Sequence, residues 1–138
     1  LLSAGKRVLS GDSFFVTVFS NHGARRSDVA FSAPTPGRVH PIDLREWGGT
    51  VIAQKDAFLC AARGVDVSIA FNRKFGAGLF GGEGFILQKI SGDGLAFVHA
   101  SGTLVEMTLA PGEQLRVDTG CLVAFQPSVD YDIRTVPG

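Results

Sequence analysis

The sequence is short of cysteine, of net charge and of long apolar segments, and each shortage excludes a class of protein. Two cysteines in 138 residues are too few for a disulfide framework. The 13 acidic residues balance the 13 basic ones, so the chain lacks the field that draws proteins to nucleic acid or anionic membranes. No apolar run approaches the roughly 18 residues of a membrane-spanning helix, and the Leu1-Leu2 start is too short and too poorly flanked to predict a signal peptide. We therefore expect a cytoplasmic protein without a membrane span.

Apolar residues recur with a period of two along most of the chain, whereas the helical period of 3.6 is missing. The clearest case is residues 65–71, which predict a half-buried strand. Residues 39–44 predict an edge or irregular strand, because Pro41 cannot donate a ladder hydrogen bond. Turns are predicted at the glycines of residues 91–94, 101–102, 111–112 and 119–120. Further strands are predicted at residues 14–19, 29–33, 50–54, 57–62, 85–90, 95–101, 103–109, 115–118, 122–126 and 129–135.

An internal repeat organises these strands. A shift of 71 residues places Gly11 on Gly82, Phe14 on Phe85, Ser20 on Ser91 and Gly23 on Gly94. The same shift returns near the end of the unit, where Val51-Ile52-Ala53 meets Leu122-Val123-Ala124; between them, Phe31 meets Phe97 and Pro36-Gly37 meets Pro111-Gly112 at other offsets. We predict a single β domain made of two pseudo-symmetric units, residues 1–71 and 72–138, joined by a crossover at residues 72–79. Packed face to face, the units form one antiparallel β-sandwich.

The glycine-rich residues 76–84 superficially resemble a nucleotide-binding loop. Phosphate-binding glycines lie between a strand and a helix N-terminus. Here the next residues, 85–90, are predicted to form a strand, and no Gly-Lys-Ser/Thr is present. We interpret the glycines as close backbone packing where the two units join.

His99 and Glu106 are the candidate metal ligands. They are predicted to lie on neighbouring strands joined at Ser101-Gly102, as in a cupin metal site. Such a site needs at least three convergent ligands, and Ser101 stands where the second histidine of a cupin pair belongs. The other histidines, His22 and His40, fall in the first unit. A hydrogen-bonded or surface pair is the competing interpretation, so we assign no metal or cofactor.

Other reactive side chains fit structural roles better than catalytic ones. Cys60 and Cys121 lie in apolar runs without the basic surroundings of an activated thiol. Asp130 and Asp132 share one face of a predicted strand, where two carboxylates can bind calcium or act as acid and base, but a solvated face is the simpler interpretation. Neither a nucleophile elbow nor a triad can be assembled, so we expect no enzymatic activity and no catalytic residue.

Three basic pairs, Lys6-Arg7, Arg25-Arg26 and Arg73-Lys74, could follow a phosphate backbone if the fold gathers them. The aromatic residues are mostly phenylalanines in apolar alternation, so no stacking platform for bases is evident. Trp47, beside Gly48-Gly49, is the best candidate for a surface contact; the alternative is an anchor folded back onto the sheet. Binding of nucleic acid is therefore the least favoured hypothesis.

Several motifs give the chain a resemblance to a known family. They are residues 76–85 (GAGLFGGEGF), 94–100 (GLAFVHA), 109–113 (LAPGE) and 117–120 (VDTG), with residues 11–15 (GDSFF) and 36–37 in the first unit. The sequence closely resembles the bacterial and archaeal relatives of altered inheritance of mitochondria protein twenty-four, over essentially the whole chain. The resemblance implies a fold like that of the tryptophan RNA-binding attenuation protein, commonly oligomeric, with no established enzymatic activity.

The resemblance and the missing initiator methionine lead us to expect a fragment of a longer chain, because family members usually carry further strand-rich segments at both ends. RNA binding does not transfer with the fold. The leading hypothesis is a non-enzymatic, oligomeric interaction or scaffold protein with protein partners. The alternatives are a cupin-like enzyme, dependent on a metal or small ligand, that uses His99 and Glu106, and an RNA-binding protein.

Overall fold

The structure is a computed structural model that describes residues 16–73 and 84–134. The chain divides into two compact units, residues 1–31 and residues 32–138. Residues 16–31 of the first unit contain no helix or strand. The rings of Phe19 and Phe31 meet edge to face with centroids 5.8 Å apart, and the Asn21 side chain closes a turn by accepting a hydrogen bond from the Gly23 amide.

Antiparallel strands make up most of the regular structure in the described part of the second unit. They are β1 (Gly37–Asp43), β2 (Thr50–Gln54), β3 (Phe58–Ala61), β4 (Asp66–Arg73), β5 (Phe85–Ser91), β6 (Leu95–Ser101) and β7 (Ala124–Phe125). Single turns of 3₁₀ helix occur at Lys55–Ala57 and Thr119–Cys121. Across residues 16–73 and 84–134, no helix is both long enough and apolar enough to cross a membrane.

The strands form two antiparallel sheets that are not closed into a barrel. One sheet has the order β1-β6-β3, and the other has the order β4-β5-β2-β7. The central strands β5 and β6 follow each other in the chain but belong to different sheets. The connection between them at residues 92–94 therefore crosses from one sheet to the other, which corrects the tight antiparallel connection predicted there.

A shared core lies between the two sheets and makes the second unit a β-sandwich, which confirms the predicted fold class. Every second residue of a strand points to the same face, and the inner faces carry the buried side chains. The core consists of Ile42, Leu44, Ala96 and Val98 from the side of β1 and β6, with Val51, Ala53 and Ile90 from β2 and β5. Each fully buried valine, leucine or isoleucine stabilises the fold by roughly 1.5–3 kcal/mol.

A second apolar cluster covers the outer face of the four-stranded sheet. Its buried members are Ile52, Phe85 and Leu87, and Leu122, Phe125 and Ile133 pack against them. An irregularity in β4 between Ile69 and Phe71 shifts the pairing with β5. Because such a shift exchanges the faces of a strand, Phe71 joins this outer cluster while Val67 packs on the core.

Several sequence predictions are confirmed by these strands. The predicted strands at residues 50–54 and 95–101 coincide with β2 and β6. The edge strand predicted around Pro41 is β1, which pairs only with β6 among the described strands.

Other predicted strands are wrong. Residues 29–33, 103–109 and 115–118 form no strand, and residues 122–126 contain only the two-residue β7. Residues 129–134 likewise form no strand. Alternation indicates a chain suited to a sheet, but a strand also needs a neighbour for its backbone groups, and these segments lack one within the described residues. The two repeat units of residues 1–71 and 72–138 stay a prediction.

Candidate functional site

The predicted metal ligand His99 lies at the centre of the three-stranded sheet. Its Cα pairs with that of Val39 across β1 and β6, and its side chain is buried. The imidazole stands over Gly37: a Cβ built on Gly37 would lie 2.5 Å from His99 Nε2. Since Val98 lies in the core, His99 points to the opposite, outer face of the sheet. Gly37 leaves the room that the buried imidazole occupies.

The predicted partner of His99 contacts a different histidine. Glu106 Oε1 lies 3.3 Å from His40 Nε2. His40 pairs with Val98 and so belongs to the inner side of β1, whereas His99 belongs to the outer face. Glu106 also lies outside any strand, contrary to the prediction. In residues 16–73 and 84–134, no three histidine, cysteine, aspartate or glutamate side chains come together as a metal site would require.

A shallow groove of about 230 Å³ lies beside the start of β5. It is lined by Gln54, Asp56, Gly84, Phe85, Thr119 and Gly120. Its polar groups largely bind one another. Gln54 Oε1 accepts hydrogen bonds from the amides of Asp56 and Ala57, at 2.5 and 3.1 Å, and Gln54 Nε2 donates to Asp56 Oδ2 at 3.1 Å. Ligand pockets usually measure about 300–1,000 Å³ and aim free polar groups inward. This groove could hold water or a very small polar molecule, and sequence reasoning missed it because its members are far apart in the chain.

Asp43, the last residue of β1, forms an ion pair with the exposed Arg45 of the following loop. Arg45 donates to both carboxylate oxygens of Asp43, through Nε at 2.9 Å and through Nη2 at 2.5 Å. The hydrogen bonds from the guanidinium lower the pKa of the Asp43 carboxyl. The pair closes a turn between β1 and the loop that follows, and it carries no group suited to proton transfer near neutral pH.

The loop after β1 folds Trp47 back onto the sandwich. Trp47 is half-buried and packs against the core between the sheets. The amides of Trp47 and Gly49 both donate to the Leu44 carbonyl, at 3.1 and 2.7 Å. Gly48 and Gly49 have φ angles of 71° and 81°, in the left-handed region that glycine adopts without strain. Trp47 is therefore an anchor, as the alternative interpretation of the sequence had it.

The two cysteines, Cys60 and Cys121, and the carboxylates of Asp130 and Asp132 do not come together as a reactive centre. Both thiols are free, and partial burial raises the pKa of Cys60. Cys121 is exposed. Asp132 forms an ion pair with Arg134 at 2.8 Å, while Tyr131 packs edge to face on Phe71 and Phe125. Burial, with the charge of Asp130, raises the pKa of the Tyr131 hydroxyl.

The basic pairs can be placed only in part. Arg25 and Arg26 are exposed in the first unit. Lys6-Arg7, Lys74 and residues 76–83 of the glycine-rich segment lie outside the described residues.

Residues 103–118 form an exposed apolar segment of the second unit. Val105 and Met107 have exposed fractions of 74% and 61%, and the backbone joins no described sheet. A turn at its middle is held by the Glu113 amide, which donates to the Ala110 carbonyl at 2.9 Å, and by Glu113 Oε2, which accepts from the Ala110 amide at 2.8 Å. Leu115 and Val117 continue the exposed apolar series beyond the turn. The alternation at residues 103–109 and 115–118 marks this segment in the sequence, but it predicts two half-buried strands that the structure does not form.

These features define an all-β sandwich with an exposed apolar segment. The family model described as mitochondrial biogenesis AIM24 matches residues 1–138, and the chain belongs to this family. This confirms the family resemblance drawn from the glycine-rich motifs. The chain is also similar to an uncharacterised protein of Streptococcus pyogenes serotype M6, with 27% identity over 135 residues. The match covers 97% of this chain and 52% of that protein, so the chain spans about half the length of the relative.

Proposed function

We propose that this protein is a non-enzymatic interaction or scaffold protein that assembles into oligomers. The exposed apolar segment at residues 103–118 carries the proposal. Large apolar side chains in adjoining exposed positions mark surfaces that bind other proteins. Here the same segment also leaves its backbone outside the described sheets, and backbone groups outside a sheet can pair with another chain.

The arrangement of reactive groups favours binding over catalysis. Glu106 and His99, the pair considered for a metal-dependent enzyme, point to different neighbours: Glu106 to His40 and His99 to Gly37. The groove beside β5 holds hydrogen bonds among its own side chains. A catalytic site instead needs polar groups that are free to meet a substrate. The cytoplasmic location predicted from the sequence stays part of this proposal.

Light scattering after size-exclusion chromatography, over a range of micromolar concentrations, tests the proposal. We expect a mass above that of one chain, and we expect Val105→Asp to lower it, because a charge would be buried in the interface. Leu95→Asp is the matched control: Leu95 is also an exposed apolar residue, but it lies at the end of β6 in the completed sandwich. A chain that stays monomeric at every concentration would contradict the proposal.

A further inference from the structure

Strands β5 and β6 hold the sandwich together. β6 lies between β1 and β3 in one sheet, and β5 lies between β4 and β2 in the other. The two strands are consecutive in the chain and supply one central strand to each sheet. Without β6, neither β1 nor β3 would have a neighbouring strand in the three-stranded sheet.

Residues 16–31 repeat the apolar pattern of β5 and β6. The shift of 71 residues places Val16 on Leu87 and Phe19 on Ile90. At a shift of 66 residues, Val29-Ala30-Phe31 matches Leu95-Ala96-Phe97. Leu87 and Ile90 are fully buried, at 0% exposure, whereas Val16 and Phe19 are 52% and 60% exposed. The N-terminal segment therefore has the side chains of a central strand pair without the strands that would cover them in the described residues.

Residues 112–132 show the complementary pattern. Residues 112–118 match β1, because Gly112 aligns with Gly37, Val117 with Ile42 and Asp118 with Asp43. Ile42 is 2% exposed, but Val117 is 50% exposed. At the shift of 71 residues, residues 121–125 match β2 and residues 129–132 match β3. This set has equivalents of β1, β2 and β3, the strands that flank β5 and β6, and, within the described residues, no equivalent of β5 or β6 lies beside them.

The edge of the four-stranded sheet is placed to receive the missing strand. β7 lies within residues 121–125, which are the repeat equivalent of β2. Among the described strands, β7 pairs only with β2. In the sandwich itself, β2 also pairs with β5 on its other side. Residues 16–20, the equivalent of β5, would take that position beside β7.

We propose that residues 16–31 of one copy dock into a second copy, between its residues 112–118 and 129–132, and complete a second sandwich there. The proposal rests on the oligomeric function proposed above and names its interface. Residues 1–31 form a compact unit of their own, which is the unit that the second copy receives. Because the two surfaces differ, the contact is head to tail, and repetition of it gives a ring or an open chain.

A cysteine cross-link tests which residues meet. In β1 and β6, Ile42 and Ala96 are Cα partners, so the equivalent partners are Val117 and Ala30. Ala30→Cys is introduced into one tagged chain and Val117→Cys into a differently tagged chain, both with Cys60 and Cys121 replaced by serine. On mixing and mild oxidation, we expect a disulfide between the two tags. Arg116→Cys in place of Val117→Cys is the control, because its side chain points to the opposite face, and we expect at least about tenfold less cross-link.

Two aspartate substitutions distinguish this interface from non-specific apolar association. Val16 is equivalent to the buried Leu87, whereas Val18 is equivalent to the exposed Lys89. Val18 is itself the more exposed of the two, at 82% against 52%. We expect Val16→Asp to weaken association by more than about tenfold and Val18→Asp to leave it nearly unchanged. If non-specific apolar contact drives association, Val18→Asp has the larger effect and the proposal fails.

The outcomes separate the two proposals. If the chains associate but the two tags do not cross-link and Val16→Asp has no effect, the proposed interface is wrong. The oligomeric function is then unaffected. A chain carrying both Ala30→Cys and Val117→Cys that cross-links only within itself shows that the segment docks in its own copy, which overturns the exchange between copies. A strict monomer overturns both proposals.

Discussion

His40 Nε2 lies 3.3 Å from Glu106 Oε1, which connects strand β1 to the exposed apolar segment. Both side chains are partly solvated: the Glu106 side chain is 73% exposed and that of His40 is 38% exposed. The neighbouring histidine in the same sheet, His99, is buried on the opposite face. The two histidines therefore differ in what they contribute, although the sequence marks only His99 as part of a candidate site.

The contact between His40 and Glu106 is expected to contribute little to stability. A double-mutant cycle with His40→Ala and Glu106→Ala should give a coupling free energy below about 1 kcal/mol, because water and salt screen an exposed pair. His99→Ala should lower the free energy of unfolding by about 1–3 kcal/mol, because it empties a buried position. Urea unfolding followed by circular dichroism measures all four variants. A coupling of several kcal/mol would show that the pair is enclosed by further chain.

The alternating pattern of the sequence predicts the strands of the sandwich, but it also predicts strands where none forms, as at residues 103–109. The pattern at residues 50–54 and 95–101 reproduced β2 and β6, and Pro41 correctly marked β1 as an edge strand. These segments are predictable because their period matches the pleat and their neighbours complete the ladder. The glycine-rich motifs likewise predicted the family.

The pairing of the candidate site could not be predicted from the sequence. Assigning Glu106 to His99 required a strand at residues 103–109 and a hairpin at Ser101-Gly102, and the structure has no strand there. Periodicity specifies which residues share a face, but it does not specify which segment lies beside which. The pairing of Glu106 with His40 depends on which segment lies beside β1. The groove at Gln54 likewise depends on which segments lie together.

Replacing Gly37 is expected to destabilise the sandwich. A Cβ at this position would collide with the carbonyl oxygen of Ala100 and would lie 2.5 Å from His99 Nε2. The backbone carbonyl cannot rotate away, so Gly37→Ala should lower the free energy of unfolding by about 1–3 kcal/mol. Adding His99→Ala should not restore stability, because the carbonyl contact remains.

Gly102→Ala is the control for Gly37→Ala in urea unfolding. Nothing lies within 4 Å of a Cβ at Gly102, although its φ of +85° disfavours other residues. We expect a loss of about 1 kcal/mol there, from backbone strain alone. If the two variants lose equal stability, the contact at Gly37 does not limit the packing of β1 on β6.

Tyr131 is expected to make stability fall at alkaline pH. Burial raises the pKa of its hydroxyl in the folded state, with a contribution from Asp130. A raised folded pKa means that this contribution is complete below the ordinary tyrosine range and is lost as the pH rises through the folded pKa. Tyr131→Phe should remove this part of the pH dependence while it keeps the ring contacts with Phe71 and Phe125.

Tyrosinate absorbance reports the titration directly, because the chain contains 1 tyrosine. The folded protein should ionise at higher pH than the protein in urea. Asp130→Asn should reduce the difference only in part, because burial is the larger cause. Equal titration in the two states would contradict the position of Tyr131 on the aromatic cluster.

Gln88 offers a stabilising substitution in the interior. It is 3% exposed, and its Oε1 atom has no hydrogen-bond partner among the described residues. Its Cα partners on the flanking strands are Ala53 and Ile69, both apolar. Removing an unsatisfied buried acceptor recovers its desolvation cost, so Gln88→Leu should raise the free energy of unfolding by about 1 kcal/mol.

Gln54→Leu is the matched control for Gln88→Leu in thermal and urea unfolding. The Gln54 side chain accepts from the amides of Asp56 and Ala57 and holds the following 3₁₀ turn. The same change of side chain there should lower the free energy of unfolding by about 1 kcal/mol, because two amides lose their acceptor. Destabilisation by Gln88→Leu as well would mean that Gln88 Oε1 binds a buried water or another part of the chain.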